Sequence, residues 1–133
     1  IKRGRRDLAA LDTMADALRD GAVLLIFPEG TRGKTGVLRE GRGGGVRLAM
    51  QAGVPIVPVA ITGTEHGLKG TLLRRPVRLH VGAPYLVPPT PDNKIPPELM
   101  DQLTNEMMGR IAVLLPPERR GFYAQLPSPA EPA

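Results

Sequence analysis

Residues 23–32, which read VLLIFPEGTR, decide how the rest of the chain is interpreted. The first five are apolar and rich in branched side chains, as expected of a buried β-strand. Pro28 lacks the N–H that a sheet ladder requires, so the strand has to end there. The polar residues from Glu29 to Arg32 are therefore predicted to lie on a loop at the carboxyl end of a strand. Open α/β sheets bind their ligands at that end.

The residue types on this loop suit a phosphate ligand. Arg32 offers a planar fork of donors that matches phosphate geometry. Gly30 lets the backbone come close to a bound molecule. The alternative is a surface salt bridge between Glu29 and Arg32, which would contribute little. The apolar strand, the proline and the glycine around these residues together favour a functional loop.

The composition is that of a single small domain. A chain of 133 residues has room for one hydrophobic core, and its hydrophobic fraction of 41% is sufficient for one. Aromatic residues make up only 3%, so the core has to be built from aliphatic side chains and methionine. The lack of cysteine excludes a disulfide framework and a thiolate metal site. No apolar stretch approaches the ~20 residues that a membrane-spanning helix needs.

The net charge of +5 favours anionic partners such as phosphate ligands, acidic headgroups or an acidic carrier protein. Nucleic acid is a poor fit, because two Phe, two Tyr and no Trp provide no platform for stacking bases. The density of basic residues suggests instead that some of them hold the domain to an anionic membrane. The residues assigned to this contact are Lys2, Arg5, Arg6, Lys69, Arg74 and Arg75.

Periodicity predicts an α/β fold. Helices are expected over residues 7–20, 46–52 (starting near Arg42) and 98–115, and strands over 22–27, 56–62 and 76–81. Residues 63–75 and 84–97 are expected to be loops. The strand–helix–strand order from 22 to 62 predicts a right-handed unit with two parallel strands. The expected architecture is a mixed, largely parallel sheet flanked by helices.

Residues 27–32, FPEGTR, resemble the third sequence block of the glycerolipid acyltransferases, the 1-acylglycerol-3-phosphate acyltransferase family. Residues 57–61, VPVAI, are similar to the fourth block, at a fitting spacing. Residues 1–3 are similar to the end of the second block, and residues 114–121 to the ending of bacterial members. The resemblance implies that residues 1–123 are the C-terminal portion of an acyltransferase domain, with a disordered tail over 124–133.

The first block of that family, which carries a histidine and an aspartate spaced H-x-x-x-x-D, has no counterpart here. The aspartate of that block stands five residues after the histidine, and here Thr71 stands five after His66 and Tyr85 five after His80. We therefore expect no catalytic residue in this sequence, and we expect the N-terminal part with the catalytic block to be missing from it. Both histidines are predicted to be structural or solvated, and no metal site is predicted.

The resemblance also implies roles for the loop after the first strand, which in the family holds the phosphate of the acceptor lipid. Arg32 would pair with that phosphate, with Gly30 allowing close approach. Glu29 would organise the loop or bind the glycerol of the acceptor. Thr31 would donate its hydroxyl or cap the turn.

Two further arginines complete the predicted substrate site. Arg3 aligns with a phosphate-binding arginine of the family, although it also fits an ordinary solvated basic run. Arg42 stands where the family has a lysine, before three glycines at a predicted helix start, and Gly41 replaces the family's aromatic residue. Free N–H groups at a helix start bind anions. A flexible glycine loop is the equal alternative.

The resemblance implies transfer of a fatty acyl group from acyl-CoA or acyl-carrier protein to the hydroxyl of lysophosphatidic acid or a related glycerol phosphate. In the family a histidine takes the hydroxyl proton, and no metal or bound cofactor is needed. The protein would act peripherally at the cytoplasmic face of the membrane. The alternative is a non-catalytic module that binds phosphate or lipid, since the histidine–aspartate block is absent.

Overall fold

The computed structural model describes residues 3–30, 36–64 and 67–126, with the backbone alone for residues 3–6 and Thr71. Four helices and two strands are present in this part of the chain. In chain order they are α1 (Arg3–Arg19), α2 (Gly44–Ala52), β1 (Val59–Thr62), α3 (Gly67–Leu72), β2 (Arg78–Val81) and α4 (Pro97–Ala112). Short 3₁₀ turns follow at Pro91–Asn93, Pro117–Arg119 and Gly121–Tyr123.

The helix predicted over residues 7–20 is confirmed as α1, which begins four residues earlier. It packs against α2 through Ala15, which is fully buried. Two side-chain hydrogen bonds join the pair: Arg19 Nη2 donates to the Gln51 carbonyl at 2.6 Å, and Gln51 Nε2 donates to Asp12 Oδ1 at 2.6 Å. The apolar pattern that predicted α1 oriented its buried face only in part, because Ala15 is buried whereas Leu8 is 61% exposed.

The other two predicted helices are also confirmed, and they hold the core. Gly53 ends α2 in the left-handed conformation, at φ 68°, and its N–H donates to the Ala49 carbonyl. The core lies between α2, α4 and the C-terminal turns. Its buried members are mainly aliphatic residues and methionine, as expected, with one aromatic side chain: Leu38, Val46, Ala49, Met50, Val87, Met107, Met108, Ala112 and Tyr123.

The expectation of a largely parallel sheet is wrong for the described residues, where the one sheet is a pair of antiparallel strands. β1 and β2 align Val59 with Val81 and Thr62 with Arg78. An isolated bridge between Ile56 and Tyr85 extends the pairing. Antiparallel strands can be joined by a short connection. Residues 63–77 form that connection, so β1 pairs with the next strand along the chain.

The strand predicted over residues 22–27 is not a strand in the structure. The segment is irregular, and its apolar side chains are exposed, from 41% at Leu24 and Ile26 to 96% at Val23. A strand needs a neighbour for its backbone N–H and C=O groups. Within the described part of the chain, none pairs with this segment.

The region expected to be a loop over residues 63–75 contains α3. Its glycines concealed the helix, because glycine disfavours helix formation. The described chain continues as short turns to Tyr123, which is buried, and on to residue 126. The domain boundaries proposed above stay a prediction, and most of the predicted tail lies outside the described residues. Among the helices described, none is long and apolar enough to span a membrane.

Candidate phosphate-binding site

The polar loop begins with a tight turn from Phe27 to Gly30. The Gly30 N–H donates to the Phe27 carbonyl at 3.1 Å, and Gly30 has φ 70°. Glycine adopts this left-handed conformation without strain, whereas other residues cost about 1 kcal/mol or more. The turn redirects the chain after Pro28, as the sequence predicts.

Arg42 lies directly against this turn. Its N–H donates to the Pro28 carbonyl at 2.9 Å, so the two ends of the loop meet. A Cβ atom added to Gly30 would stand 2.9 Å from Arg42 Nε and 3.0 Å from Cζ. The Arg42 guanidinium thus rests on the backbone of Gly30, and both residues come from the predicted site. The Arg42 side chain is exposed, so its charge faces solvent beside the turn.

Glu29 fastens the loop from within. Its Oε2 accepts a hydrogen bond from the Arg39 N–H at 2.9 Å. A carboxylate that accepts a backbone N–H makes a charge-assisted bond, stronger than a neutral one. This hydrogen bond organises the loop. Binding of an acceptor by Glu29 stays a prediction.

The C-terminal turns close the far side of the loop. The Leu38 N–H donates to the Arg119 carbonyl at 2.9 Å, and the Gly41 N–H donates to Tyr123 Oη at 2.7 Å. Gly121 lies so close that an added Cβ would fall 2.2 Å from the Leu38 carbonyl oxygen. The C-terminal turns therefore help to set the shape of the loop.

Gly41 is held tightly for a second reason. A Cβ there would stand 2.4 Å from Cγ of Met108, a fully buried residue of α4. The aromatic residue that the family carries at this position would not fit in this packing. The Met108 side chain fills the space that a side chain at residue 41 would need.

Burial is the main cause that raises the pKa of Tyr123. The hydrogen bond from Gly41 lowers this pKa, and the carboxylates of Glu40 and Glu29 raise it. The Tyr123 hydroxyl therefore stays protonated in ordinary buffers, and it serves the loop as a neutral hydrogen-bond acceptor.

The structure brings three of the six predicted substrate-binding residues together: Glu29, Gly30 and Arg42. Thr31 and Arg32 lie outside the described residues. Arg3 begins α1, and its side chain also lies outside the described part. The described residues form no group of His, Asp and Glu that could hold a metal ion.

The sequence did not predict the residues that contact this loop from far along the chain. Tyr123 and Arg119 are 82 and 81 positions from their partners, and no local pattern announces either contact. The one available signal was the rarity of aromatic residues, since Tyr123 is one of only two tyrosines. Its burial in a chain with so little aromatic surface makes it a structural anchor.

A second cationic feature lies at the end of β1, beside Thr62 and Gly63. It is an open groove of about 800 Å³. His80 lines it with Nε2 3.4 Å from Thr62 Oγ1, and Glu118 is the acidic residue among its described lining. Four arginines line the groove: Arg75, Arg78, Arg119 and Arg120. Arg119 thus serves both features, because its carbonyl accepts the Leu38 N–H of the loop.

Comparison with known proteins bears on the family of the chain. The family model described as "Acyltransferase" matches residues 1–62, which include all six predicted substrate-binding residues. A 1-acyl-sn-glycerol-3-phosphate acyltransferase of Limnanthes douglasii is 41% identical over 90 residues, covering 64% of this chain and 31% of that protein. Together the family model and this relative support assignment of the chain to the glycerolipid acyltransferases.

Other members of the glycerolipid acyltransferase family match over different lengths. A 1-acyl-sn-glycerol-3-phosphate acyltransferase of Chlamydomonas reinhardtii is 31% identical over 126 residues, covering 92% of this chain and 35% of that protein. One of Pseudomonas aeruginosa is 36% identical over 66 residues, covering 50% and 26%. The chain spans about a third or less of the curated relatives it matches. No solved structure matches it.

Proposed function

We propose that the protein transfers a fatty acyl group to the hydroxyl of lysophosphatidic acid or a related glycerol phosphate. The relatives named 1-acyl-sn-glycerol-3-phosphate acyltransferase support this assignment. The observation that carries it is the Arg42 guanidinium resting on Gly30, within the segment that the acyltransferase model matches. In this proposal the acyl group comes from acyl-CoA or acyl-carrier protein, and no metal or bound cofactor takes part.

The contribution of this chain is to hold the acceptor. Arg42 pairs with the acceptor phosphate at the turn, and Arg3, Thr31 and Arg32 add donors around it. Anchoring a remote phosphate positions the hydroxyl for attack on the thioester carbonyl, which lowers the entropic part of the barrier. Hydrogen bonds to Glu29 and Tyr123 hold the loop in shape before the ligand arrives. Binding therefore costs little conformational entropy for ordering the loop.

The cationic groove beside Thr62 suits the acyl donor. Its four arginines against Glu118 leave a formal excess of three positive charges, and guanidinium groups pair well with phosphate. A volume of about 800 Å³ is of the size that small-molecule ligands occupy. The phosphates of coenzyme A, or of the prosthetic group of a carrier protein, would bind there.

Peripheral attachment to the cytoplasmic face of an anionic membrane is part of the same proposal. It is supported by the net charge of +5 and by exposed Lys69, Arg74 and Arg75. Lys2, Arg5 and Arg6 would add to this contact. Each basic side chain near an anionic surface contributes about 1 kcal/mol.

Replacing Gly30 tests the acceptor site without changing any charge. We expect Gly30→Ala to displace the Arg42 guanidinium and weaken the binding of glycerol 3-phosphate to the chain about tenfold, in line with the loss of one charge-assisted bond. Gly21→Ala is the matched control, because Gly21 also has a positive φ, of 96°, but open space around it. Calorimetric titration with glycerol 3-phosphate measures both variants.

A second variant, Arg42→Gln, separates loss of charge from loss of loop shape, with exposed Arg47→Gln as its control. Equal affinity in all four variants would contradict the acceptor site. Binding that requires Arg42, in a protein without measurable acyl transfer, would favour the alternative of a non-catalytic phosphate- or lipid-binding module.

A further inference from the structure

α3 exposes leucine to an unusual degree. Leu68 is 90% exposed and Leu72 87% exposed, and the next residue, Leu73, is 68% exposed. Leu68 and Leu72 are four residues apart, so they lie on the same side of the helix. Gly70, two residues from each, is buried and lies on the opposite side. The helix therefore rests on the protein through its glycine and turns its leucines outwards.

The end of α3 places basic side chains beside these leucines. Arg74 adopts a left-handed conformation, with φ 53°, and the Arg75 N–H donates to the Gly70 carbonyl at 2.9 Å. This is the closing bond of a Schellman cap. Lys69, Arg74 and Arg75 are all exposed, and residues 67–75 contain no acidic side chain.

An anionic lipid surface fits this combination of groups. Leucine side chains leave water for the apolar part of the interface, while the longer basic side chains extend to the headgroups. Another protein surface would have to offer an apolar hollow ringed by acids. A bilayer with acidic lipids offers both properties over its whole area.

We propose that α3 and the turn after it, residues 68–75, form a docking element that inserts Leu68 and Leu72 into the headgroup region of an anionic membrane. The proposal deepens the peripheral attachment described above and rests on it. It assigns the contact to one element and adds an apolar component that charge alone does not supply. Binding of this kind keeps part of its strength in high salt, because screening weakens only the electrostatic part.

Vesicle sedimentation tests the two components separately with the full 133-residue chain. We expect binding to vesicles of phosphatidylcholine with phosphatidylglycerol, and at least tenfold weaker binding to pure phosphatidylcholine. The variant Leu68→Ser/Leu72→Ser should weaken binding on the order of tenfold and abolish the part that survives high salt. Its control, Val23→Ser/Leu25→Ser, removes two apolar side chains that are 96% and 75% exposed elsewhere, and it should bind like the wild type.

The charged component has its own variants. Lys69→Gln/Arg74→Gln/Arg75→Gln should lower affinity for the acidic vesicles on the order of 100-fold, at about fivefold per side chain. Arg47→Gln, an exposed change on α2, should have no effect. The unfolding midpoint of each variant is measured beside its vesicle binding, so that misfolding can be excluded as the cause of weaker binding.

Tryptophan fluorescence shows directly whether α3 enters the lipid. The chain contains no Trp, so Leu72→Trp provides a single probe, and Val81→Trp, at a site 65% exposed on β2, provides its control. We expect a blue shift on adding acidic vesicles at residue 72 and none at residue 81. A shift at residue 81 alone, or vesicle binding unaffected by both sets of α3 variants, would overturn the proposal.

These measurements do not depend on acyl transfer. Vesicle binding that fails while glycerol 3-phosphate still binds at Gly30 and Arg42 would refute the docking element and the peripheral attachment, and it would leave the proposed acyl transfer standing. The reverse result would refute the acceptor site alone.

Discussion

Two regions of this molecule are built from the same kinds of residue and end in opposite environments. Around Met108 and Val46, both fully buried, apolar side chains pack between α2, α4 and the C-terminal turns. Along residues 22–27 and the outer face of the β1–β2 sheet, equally apolar side chains face solvent, with Leu79 and Val81 each 65% exposed. The sequence is as hydrophobic in one region as in the other, and only the packing partners differ.

The comparison teaches that burial comes from neighbours and not from hydrophobicity alone. The apolar side chains of α2 and α4 bury one another within this chain. The outer sheet face and residues 22–27 find no cover within the described residues. Contiguous exposed apolar surface of this kind is typical of an interaction site, and an uncovered strand edge carries a risk of aggregation.

The largest expected difference between the two regions lies in stability. Met108→Ala should lower the free energy of unfolding by about 2–5 kcal/mol, because it leaves a cavity in the packed region. Leu25→Ala, at a side chain 75% exposed, should change it by no more than about 0.5 kcal/mol. Urea denaturation measures both. Similar losses in the two variants would show that residues 22–27 are buried in solution and would break the comparison.

Removing the hydroxyl group from each of the two tyrosines tests the packed region further. Tyr123→Phe deletes the hydroxyl that accepts the Gly41 N–H, and it should cost about 1–3 kcal/mol of stability because that N–H loses its partner. It should also weaken glycerol 3-phosphate binding, because the loop loses an anchor. A variant as stable as the wild type would mean that Tyr123 does not hold the loop.

Tyr85→Phe is the matched variant, with the smallest expected effect at neutral pH. The Tyr85 hydroxyl is buried with no hydrogen-bond partner among the described residues, so its removal should leave stability unchanged or slightly raised. The Arg110 guanidinium, 4.0 Å from the centre of the ring, should stay in place over Phe.

Alkaline pH should separate Tyr85→Phe from the wild type. Burial, followed by the nearby Glu106 carboxylate, raises the pKa of Tyr85 to about 12, against an ordinary value of 10.0. The unfolded chain therefore releases this proton first, and stability that is complete below pH 10 falls as the pH rises towards 12. The variant should lose less stability over that interval in urea titrations at stepped pH. Parallel losses would contradict the raised pKa.

Local patterns predicted the parts of the fold that depend on local contacts. α1, α2 and α4 were predicted because helical hydrogen bonds and apolar faces repeat within a few residues. Residues 22–27 were predicted wrongly because a strand exists only beside another strand. α3 was missed because its glycines are poor helix formers, although its exposed leucines and basic cap are its most informative feature.

The candidate site divides in the same way. The turn at Gly30 was visible in the sequence as a glycine after a proline, and Arg42 was a candidate there as an arginine before a helix start. The hydrogen bonds of Leu38 and Gly41 were not visible, since their partners come from the opposite end of the chain. The family resemblance predicted a function for the loop, and the structure showed which contacts hold the loop in shape.

The link between Gly41 and Tyr123 also orders events in time. The two residues stand 82 positions apart, so their contact closes a long segment of chain, and contacts of this kind form late. On the ribosome the polar loop emerges well before the tyrosine that fixes it. A nascent chain can form α1 and α2 early. The turn at Gly30 reaches its final shape only once α4 has docked and residue 123 has been released.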